Sequence, residues 1–585
     1  MKTEMMKTGW IVAAAIAAAT LAGCREKAPA DAVPDAGGGV GQVAIPRIEK
    51  MDNMPVPYRI IDWRRKALEF DRYAFDFESS MPAGPIIWLD DAQRNVPQET
   101  FGLYTAVHDV RQGPEANGGE FHESLTSLAA ILGGGLNGID KTNQNGYNFV
   151  KMVQNYFNSD NGWNIVMNNT NPDVAALGGG YGRDWWYDVL PNCLYYAVSD
   201  VFPGVPGAEE IQRTVADRFY AAGQVLGRNY DYSYFDYGTM TPHVNHIPLQ
   251  QDAAGGHGYV LYSAYKKFGD ERYLEGAKQA IEALDGQRES RFYEILLPLG
   301  IYTAARLNAE EGTDYDTEKM INWVFDGVTD PKGRYGWGII QDRWGPYDVS
   351  GLQGSITDGG GYAFFMNSVK MVWPMLPLVK YEPQYARAIG KWMNNNVNAC
   401  RLFYPDEIPA IYQWLPEQKD LTRGVIAYEG LRKADDYGKP ELKGMSPVAI
   451  GDGPKWNEAN PPESMFSVYS TAPVGILGAT VHTTDVEGVL RLDANATDFY
   501  ADKPYPVWLI YNPYEKEVKI TYDAGEGADL YDAVAGEYVA RDAKGRVRIA
   551  IPADTARLVY ELPAGTRLTV SEGRVTTDTG HVVRY

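Results

Sequence analysis

Carboxylates that could carry acid–base chemistry stand at the predicted starts of several helices. Asp184 is followed by two tryptophans and a tyrosine, Glu294 precedes an apolar run, and Asp358 is followed by three glycines. Cleavage of a glycosidic bond needs one carboxyl group as an acid and another as a base or nucleophile. Acidic residues are also favoured at helix starts for stability alone, and this second interpretation weighs equally for Glu123 and Asp252. We therefore predict that the catalytic carboxylates come from Asp184, Glu294 and Asp358.

Histidines form a second candidate group. The chain has seven of them, and His243, His246 and His257 fall within fifteen residues. Because imidazole titrates near neutral pH, we predict that His243 and His257 position or tune the carboxylates and that His246 contacts the substrate. His243 and His246 could instead bind a metal, but Pro242 and Pro248 disfavour the defined geometry of a zinc site. We predict neither a metal nor another cofactor.

Arginines beside aromatic residues predict a binding surface for an acidic sugar. Arg343 adjoins Trp344 and Asp342. A guanidinium can hold a carboxylate by two parallel hydrogen bonds, while an indole ring stacks on the sugar. The alternative for this loop is a surface ion pair beside a buried tryptophan. The predicted substrate-binding residues, besides His246, are Arg183, Trp185, Tyr237, Asp342, Arg343 and Trp344.

The segments that must position these residues are helices joined by alternately long and short connections. About twelve amphipathic helices are predicted between Tyr58 and Lys433. In a stack of antiparallel helices, alternate connections emerge at opposite ends, so the long ones share one face. Helices after short turns, such as 208–226, carry a charged stripe, whereas those after long connections, such as 255–268, are far less polar. This alternation predicts two concentric layers, an (α/α)6 toroid at residues 55–433 with functional loops at one end.

The character of the sequence changes after Lys433. Proline and glycine become frequent, helical periodicity disappears, and short runs such as 507–511 and 518–522 are rich in β-branched and aromatic residues. We predict that residues 434–585 form a β-sandwich. The predicted fold class is therefore mainly α, an (α/α)6 toroid followed by a C-terminal β-sandwich.

The first residues of the sequence are predicted to be a targeting sequence rather than a folded element. Leu21-Ala22-Gly23-Cys24 resembles the lipobox of bacterial lipoproteins, which implies export, cleavage before Cys24 and lipid attachment to its thiol. The alternative is an ordinary signal peptide with a chance cysteine. Residues 1–24 are then the signal peptide, and residues 25–54 are a flexible tether. Arg25 favours sorting to the outer membrane, on its periplasmic or surface side.

Charge and cysteine content restrict the partners. The net charge is −22 and Lys and Arg form no cluster, which argues against nucleic acid. Cys193 and Cys400 stand in apolar helical segments, and we predict that both are buried free thiols. The predicted partner is an acidic polysaccharide or oligosaccharide, membrane contact is expected only through the lipid anchor, and a homodimer is left open.

Several motifs resemble carbohydrate-active enzymes. Residues 255–259 with 266–274 are similar to a hairpin found repeatedly in six-hairpin glycosidases. Other stretches are similar to glycoside hydrolase family 154, and they are Tyr293–Pro298, Ala304–Asn308, Tyr335–Gly338 and Arg387–Trp392. The resemblance covers most of residues 55–430 and implies exo-acting β-glucuronidase activity. Unsaturated glucuronyl hydrolases share the toroid and also place Asp residues at the ends of inner helices.

The expected function is hydrolytic release of a uronic acid from a polysaccharide or oligosaccharide. One alternative is a polysaccharide lyase, in which a Tyr or His base removes a proton next to the uronate carboxylate. Another alternative, from a different class, is a non-catalytic surface lipoprotein that binds glycans.

Overall fold

The computed structural model describes residues 38–113, 123–175, 184–327, 336–355, 361–434 and 439–585. The predicted signal peptide with Cys24, residues 25–37 of the predicted tether, Arg183 and Asp358 lie outside the described residues. Within the described ranges, no helix combines the length and the apolar character that crossing a bilayer requires.

The described residues contain eighteen α-helices. In chain order they are α1 Pro46–Glu49, α2 Trp63–Ala74, α3 Ser124–Leu136, α4 Phe149–Met152, α5 Pro172–Ala175, α6 Trp185–Val201, α7 Ala208–Leu226, α8 Ala253–Phe268, α9 Glu271–Asp285, α10 Leu296–Glu311, α11 Thr317–Asp326, α12 Phe365–Lys370, α13 Val372–Met375, α14 Leu378–Tyr381, α15 Ala386–Cys400, α16 Gly453–Trp456, α17 Val468–Thr471 and α18 Gly475–Thr480.

Twenty-two strands are found in the same ranges. They are β1 Ile87–Asp90, β2 Thr100–Leu103, β3 Tyr234–Asp236, β4 Thr241–His243, β5 Trp337–Ile339, β6 Arg343–Trp344, β7 Tyr347–Asp348, β8 Gln353–Ser355, β9 Tyr362–Phe364, β10 Gly430–Arg432, β11 Val448–Ile450, β12 Val481–Thr483, β13 Leu490–Asp493, β14 Val507–Tyr511, β15 Val518–Asp523, β16 Ala528–Asp532, β17 Glu537–Ala543, β18 Arg546–Ile551, β19 Ala556–Pro563, β20 Leu568–Ser571, β21 Arg574–Thr577 and β22 Val582–Arg584.

The helices are of two kinds, as the charge pattern predicts. Every residue of α8 from Ala253 to Ala264 is buried, whereas α9 buries one stripe and exposes its charged side. A tight turn separates the two: Gly269 adopts the left-handed conformation with φ of 69°, and the Asp270 side chain accepts a hydrogen bond from the backbone N–H of Arg272 at 3.0 Å. Fully buried helices therefore alternate with half-exposed ones along the chain.

Packing contacts connect the buried helices in a closed circuit. Helix α3 packs on α6, α6 on α8, and α8 on α10; α10 packs on α13 and α14, α12 packs on α17, and α17 and α18 return to α3. The half-exposed helices α2, α7, α9 and α11 each pack on a member of this circuit, and so does α15, which is buried except at Arg387. The buried helices therefore follow one another around the circuit, with α17 and α18 last.

The helices that close the circuit lie beyond Lys433, where the predicted helical region ends. Residues 430–432 form strand β10, and the segment that closes the circuit is α17 with α18, at 468–480. These helices are only four and six residues long, and a 3-10 turn at Ala472–Val474 separates them. A helical period cannot be recognised over so few residues. The strand-rich region begins at Val481, so the predicted boundary at residue 433 is placed too early.

A small sheet lies where the connections before α12 and α17 meet. Its strand order is β11-β10-β9-β8-β5, and the pairings are antiparallel. Strand β9 runs directly into α12, and the backbone N–H of Phe365 donates to the carbonyl of Glu429 at 3.0 Å. The sheet is therefore fixed at the N-terminal end of α12.

The C-terminal region consists of strands. A six-stranded antiparallel sheet has the order β12-β13-β14-β19-β16-β17, and β15 pairs with β18. These two sheets enclose a separate apolar core that includes Ile510, Ile520, Ile549 and Val559. A three-stranded sheet, β20-β21-β22, completes the region.

A buried polar cluster joins this region to the helices. The Asp498 carboxylate accepts hydrogen bonds from Lys380 Nζ at 2.5 Å, from the Tyr381 hydroxyl at 3.0 Å and from the Tyr302 hydroxyl. Arg306 donates to the main-chain carbonyl of Phe499 at 3.0 Å. Helices α10 and α14 are thereby bonded to the segment between β13 and β14.

Candidate active site

The starts of the buried helices carry a group of polar side chains whose charges act on one another. Glu123 and Asp184 are the N-cap residues of α3 and α6, and Glu294 stands two residues before α10. Burial raises the pKa of the Tyr187 hydroxyl, and the negative charges of these three carboxylates raise it further. We call the set that meets here the carboxyl pocket, and its members are Glu123, Asp184, Tyr187, Glu294, Lys370 and Tyr469.

Asp184 is a buried carboxyl group with three side-chain donors. The side chains of Gln250, Trp186 and Tyr293 hydrogen-bond to it. Burial raises the pKa of Asp184 to about 7, and the three hydrogen bonds oppose that shift because they stabilise the ionised form. The group therefore changes charge near neutral pH.

Glu294 is held in an unusual backbone conformation. Its φ is 59°, in the left-handed region that a glutamate rarely adopts. The Gln353 amide donates to its main-chain carbonyl, and the Asn367 amide donates to its carboxylate. Burial raises the pKa of Glu294 to about 8; the Asn367 hydrogen bond and the charge of Lys370 oppose the shift, whereas the negative charges of Asp184 and Asp252 add to it. Strained backbone is concentrated at functional sites.

Lys370 contributes a buried cation to the carboxyl pocket. Its side chain is fully buried, and its Nζ lies 3.1 Å from the Met366 sulfur. Burial lowers the pKa of Lys370 to about 7, although Glu294 and Glu123 oppose the shift. Burial likewise raises the pKa of Glu123 to about 7. Several groups of this pocket therefore exchange protons in the same pH range.

Aromatic rings form a continuous wall beside the carboxylates. Tyr293, Trp337, Phe364 and Tyr469 follow one another with ring centroids 6.3, 6.0 and 6.2 Å apart. All four residues are buried and keep 5–8% of their surface exposed. The Trp337 indole N–H has no hydrogen-bond partner in the structure. We call these four residues the aromatic wall, and flat rings with a polar N–H are side chains of the kind that hold sugars.

A fourth carboxylate, that of Glu429, stands beside the carboxyl pocket. Glu429, one residue before β10, accepts hydrogen bonds from the Tyr362 hydroxyl at 3.2 Å and from the backbone N–H of Asp452 at 3.3 Å. Burial and the charge of Asp452 raise the pKa of Glu429 to about 8. Its charge also acts on Tyr469 of the carboxyl pocket.

The structure brings two of the predicted catalytic residues, Asp184 and Glu294, close enough for their charges to interact, and it places His257 among aromatic rings. His257 is fully buried, its Nε2 lies 2.7 Å from the Tyr237 hydroxyl, and burial lowers its pKa to about 3. Trp185 is stacked on Tyr230 and on Phe235, at interplanar angles of 14° and 17°, and donates to the Tyr237 hydroxyl at 3.1 Å. Neighbouring side chains cover His257, Trp185 and Tyr237. The role of His257 in tuning the carboxylates and the stacking of Trp185 and Tyr237 on a sugar stay predictions.

The other predicted histidines lie on a surface hairpin. His243 stands on β4, where it stacks on Tyr234 with a centroid distance of 4.8 Å and lies 3.0 Å from the Thr241 hydroxyl; His246 is exposed. No contact given for the described residues connects either imidazole to Asp184 or Glu294. In the same residues, no group of three His, Cys, Asp or Glu side chains is arranged to hold a metal ion.

The loop with Asp342, Arg343 and Trp344 fits the alternative interpretation. Trp344 is 1% exposed and its indole donates to Asp342 Oδ2 at 3.0 Å, and Lys433 forms an ion pair with the same carboxylate at 2.6 Å. Arg343 is exposed and donates to the Pro346 carbonyl at 3.0 Å. The Trp344 ring is therefore enclosed, and its stacking on a sugar stays a prediction.

Sequence reasoning missed Lys370, Tyr469, Trp337 and Glu429 as site residues. One signal was available: Lys370 is the only charged residue between Gly360 and Leu378 in an otherwise apolar segment, and buried lysines rarely occur without a partner or a function. The others carry no local signal, because their place in the site depends on a sheet that joins distant segments.

Comparisons with known proteins find solved structures with a general similarity to this chain. No family model matches the sequence, and no curated protein does so. A β-arabinofuranosidase of family GH127 shares 12% identity over 90% of this chain and 84% of its own, with a TM-score of 0.36. A mutant of unsaturated glucuronyl hydrolase from Streptococcus agalactiae shares 14% over 75% and 97%, with a TM-score of 0.35. Endoglucanase CelQ from Clostridium thermocellum, in complex with cellotriose, shares 12% over 87% and 93%, with a TM-score of 0.34. Likeness of this degree establishes neither a family nor an activity for the chain.

Proposed function

We propose that the protein is a glycoside hydrolase with an (α/α)6 toroid, and that it releases a uronic acid from an acidic polysaccharide or oligosaccharide. The observation that carries the proposal is that Asp184 and Glu294, far apart in sequence, are both buried and lie close enough for the charge of Asp184 to raise the pKa of Glu294, while Tyr293 of the aromatic wall hydrogen-bonds to Asp184. Two carboxyl groups supply the acid and the base or nucleophile, and the wall supplies a surface for a pyranose ring.

The surroundings of the two carboxyl groups suggest different roles. Asp184 accepts hydrogen bonds from three side chains, which favour its ionised form. Glu294 has one such donor and lies near the negative charges of Asp184 and Asp252, which favour its protonated form. Glu294 then protonates the glycosidic oxygen, and Asp184 acts on the anomeric carbon, either directly or through a water molecule.

The positions of the resembling motifs support a uronic acid as the sugar released. The stretch Tyr293–Pro298 begins with a member of the aromatic wall and continues with Glu294, and the stretch Tyr335–Gly338 contains Trp337. Both stretches are similar to glycoside hydrolase family 154, whose members are β-glucuronidases. The resemblance therefore falls on residues that line the pocket and not only on the helical scaffold.

The product masses test the proposal directly. Oligosaccharides that end in glucuronic acid are incubated with the protein and analysed by mass spectrometry, with the matching glucose-ended oligosaccharides as the control. A hydrolase adds one water molecule per bond cleaved, so we expect free uronic acid and a shortened, saturated oligosaccharide. An unsaturated product without added water would identify a lyase, and binding without any product would identify a glycan-binding protein.

The pH dependence of kcat/KM is expected to be bell-shaped, with its maximum between pH 7 and pH 8. Burial raises the pKa of Asp184 to about 7, so below that pH the base becomes protonated and activity falls. Burial raises the pKa of Glu294 to about 8, so above that pH the acid loses its proton and activity falls again. Because the two groups interact, the two limbs belong to the pair as a whole. Activity that stays constant from about pH 5 to pH 9 would exclude both carboxyl groups from the reaction.

A further inference from the structure

A cleft lined by arginines opens beside the carboxyl pocket. Its volume is about 700 Å³, and its lining includes Arg228, Gln251, Glu282, Gln287, Arg288 and Arg291. Three guanidinium groups in one cleft are notable in a chain with a net charge of −22. The cleft is polar and open to solvent, so it differs from the enclosed aromatic cluster around His257.

The cleft lies at the end of the helical circuit where the carboxyl pocket is found. Arg228 follows the last turn of the half-exposed helix α7, and Glu282 is in the last turn of α9. Half-exposed and buried helices alternate along the chain, so these C-terminal ends adjoin the starts of α8 and α10. The Gln287 amide donates to the Gln251 carbonyl at 3.2 Å, which joins the two loops that line the cleft.

Short stretches of chain and hydrogen bonds connect the residues that line the cleft to the carboxyl pocket. Arg291 is two residues from Tyr293, whose side chain hydrogen-bonds to Asp184. Gln251 adjoins Asp252, whose carboxylate accepts a hydrogen bond from the backbone N–H of Tyr293 at 2.9 Å. Only one or two residues of chain therefore separate the lining of the cleft from residues that touch Asp184 or Tyr293.

The side chains of the cleft are suited to carboxylates carried on a flexible chain. Arg228 pairs with Glu282 and Arg291 pairs with Glu289, each at 2.5 Å, and both glutamates are well exposed. In the described part of the chain Arg288 makes no hydrogen bond or ion pair. An exposed ion pair contributes little stability, so a ligand carboxylate can replace a glutamate at low cost. Guanidinium groups bind carboxylates bidentately, and the two glutamine amides can hydrogen-bond to sugar hydroxyls.

We propose that the arginine cleft binds the part of an acidic glycan that extends beyond the carboxyl pocket, through anionic groups on successive sugar residues. This inference rests on the proposed function for the identity of the chain but not for the existence of the site. Carboxylate and sulfate groups share the chemistry that a guanidinium recognises, and the probes below distinguish them.

The test is the binding of defined hexasaccharides to a variant with three substitutions, Arg228→Gln, Arg288→Gln and Arg291→Gln. Binding is measured by calorimetry in the Glu294→Gln background, so that no probe is cleaved. We expect the triple substitution to weaken the binding of a glucuronic-acid hexasaccharide by about tenfold or more and to reduce its salt dependence. A carboxyl-reduced hexasaccharide should bind weakly to both proteins, and a carboxyl-reduced but sulfated one shows whether sulfate is also accepted.

A matched control removes the same charge elsewhere. The substitutions Arg272→Gln, Arg541→Gln and Arg548→Gln also remove three exposed positive charges, far from the cleft lining. They should leave hexasaccharide binding unchanged. If this control weakens binding as much as the cleft variant does, the effect is one of net charge and the proposal is overturned.

Substrate length provides a second readout in the active protein. The cleft substitutions should raise KM for the hexasaccharide about tenfold more than KM for a small aryl glucuronide, with little change in kcat. Arginines near helix C-termini also stabilise helices, so melting temperatures are measured alongside. A lower melting temperature with unchanged hexasaccharide binding would assign a purely structural role and overturn the proposal. If binding depends on the three arginines but no uronide is cleaved, the proposed role of the cleft is supported and the proposed hydrolase activity is rejected.

Discussion

Glu294→Gln is expected to lower kcat for an unactivated glucuronide by about a thousandfold, because the variant has no proton to give to the leaving oxygen. Glutamine has nearly the same volume and can still accept the hydrogen bond from Asn367. A buried carboxyl group whose pKa is raised destabilises the folded state above that pKa. The melting temperature at alkaline pH should therefore stay the same or rise, while activity is lost.

The leaving group separates the roles of the two carboxyl groups. A dinitrophenyl glucuronide releases a phenolate that needs no protonation, so the Glu294→Gln variant should regain most of its activity on this substrate. Asp184→Asn removes the group that acts on the anomeric carbon and should be inactive on both substrates. Asparagine can still accept the hydrogen bond from Gln250, so the fold around α6 is retained.

Asp270→Asn is the matched control for these substitutions. Asp270 is the N-cap of α9, and its carboxylate accepts a hydrogen bond from the backbone N–H of Arg272 at 3.0 Å. Asparagine caps a helix as well as aspartate does, so activity should equal that of the wild type. If Glu294→Gln and Asp184→Asn also retain wild-type turnover on the unactivated glucuronide, the pair is not catalytic.

The position of this pair could be predicted from the sequence because helix starts have local signals. Asp184 and Glu294 stand where long connections meet apolar helices, and alternate ends of antiparallel helices share a face. The alternation of charged and apolar segments, such as α7 followed by α8, depends on the 3.6-residue period and survives in any tertiary context. The same periodicity allows the layered arrangement of helices to be predicted from the sequence.

Residue type alone could not separate aromatic rings that line a pocket from rings that fill a core. Trp185 and Tyr237 are fully covered by neighbours from other segments, whereas Trp337 and Tyr469 are 7% and 8% exposed. The difference depends on long-range packing, which leaves no pattern in the local sequence. His257 of α8 shows the same limit. Its imidazole is buried, and burial lowers its pKa and keeps it neutral.

The end of the helical region was misplaced for a related reason. Helices α17 and α18 are short, and Pro473 and Gly475 interrupt the apolar residues around them. Their place in the circuit comes from close backbone packing: the Gly475 backbone approaches Gly133 of α3 so closely that a Cβ at 475 would lie 2.2 Å from the Gly133 Cα. Such a contact between glycines over three hundred residues apart has no sequence signature.

Asp498→Ala is expected to destabilise the protein by about 3–5 kcal/mol, because it leaves a buried ammonium group without its counter-ion. Asp498 is fully buried and Lys380 is 6% exposed. Their ion pair at 2.5 Å is supported by the Tyr381 hydroxyl at 3.0 Å from the same carboxylate. The hydroxyl of Tyr302 would also lose its acceptor. Thermal unfolding followed by circular dichroism, together with the rate of proteolysis between β13 and β14, measures the loss.

The exposed pair between Asp502 and His581 is the control for this interface. Its atoms are 2.6 Å apart, but the Asp502 side chain is 70% exposed, so Asp502→Ala should change the melting temperature little. A double variant, Asp498→Leu with Lys380→Met, removes both buried charges and should recover much of the stability lost in Asp498→Ala. Equal destabilisation by Asp498→Ala and Asp502→Ala would show that the buried pair does not hold the strand-rich region on the helices. Full recovery in the double variant would show instead that burying an unpaired charge, and not the loss of an attraction, is what makes the single substitution costly.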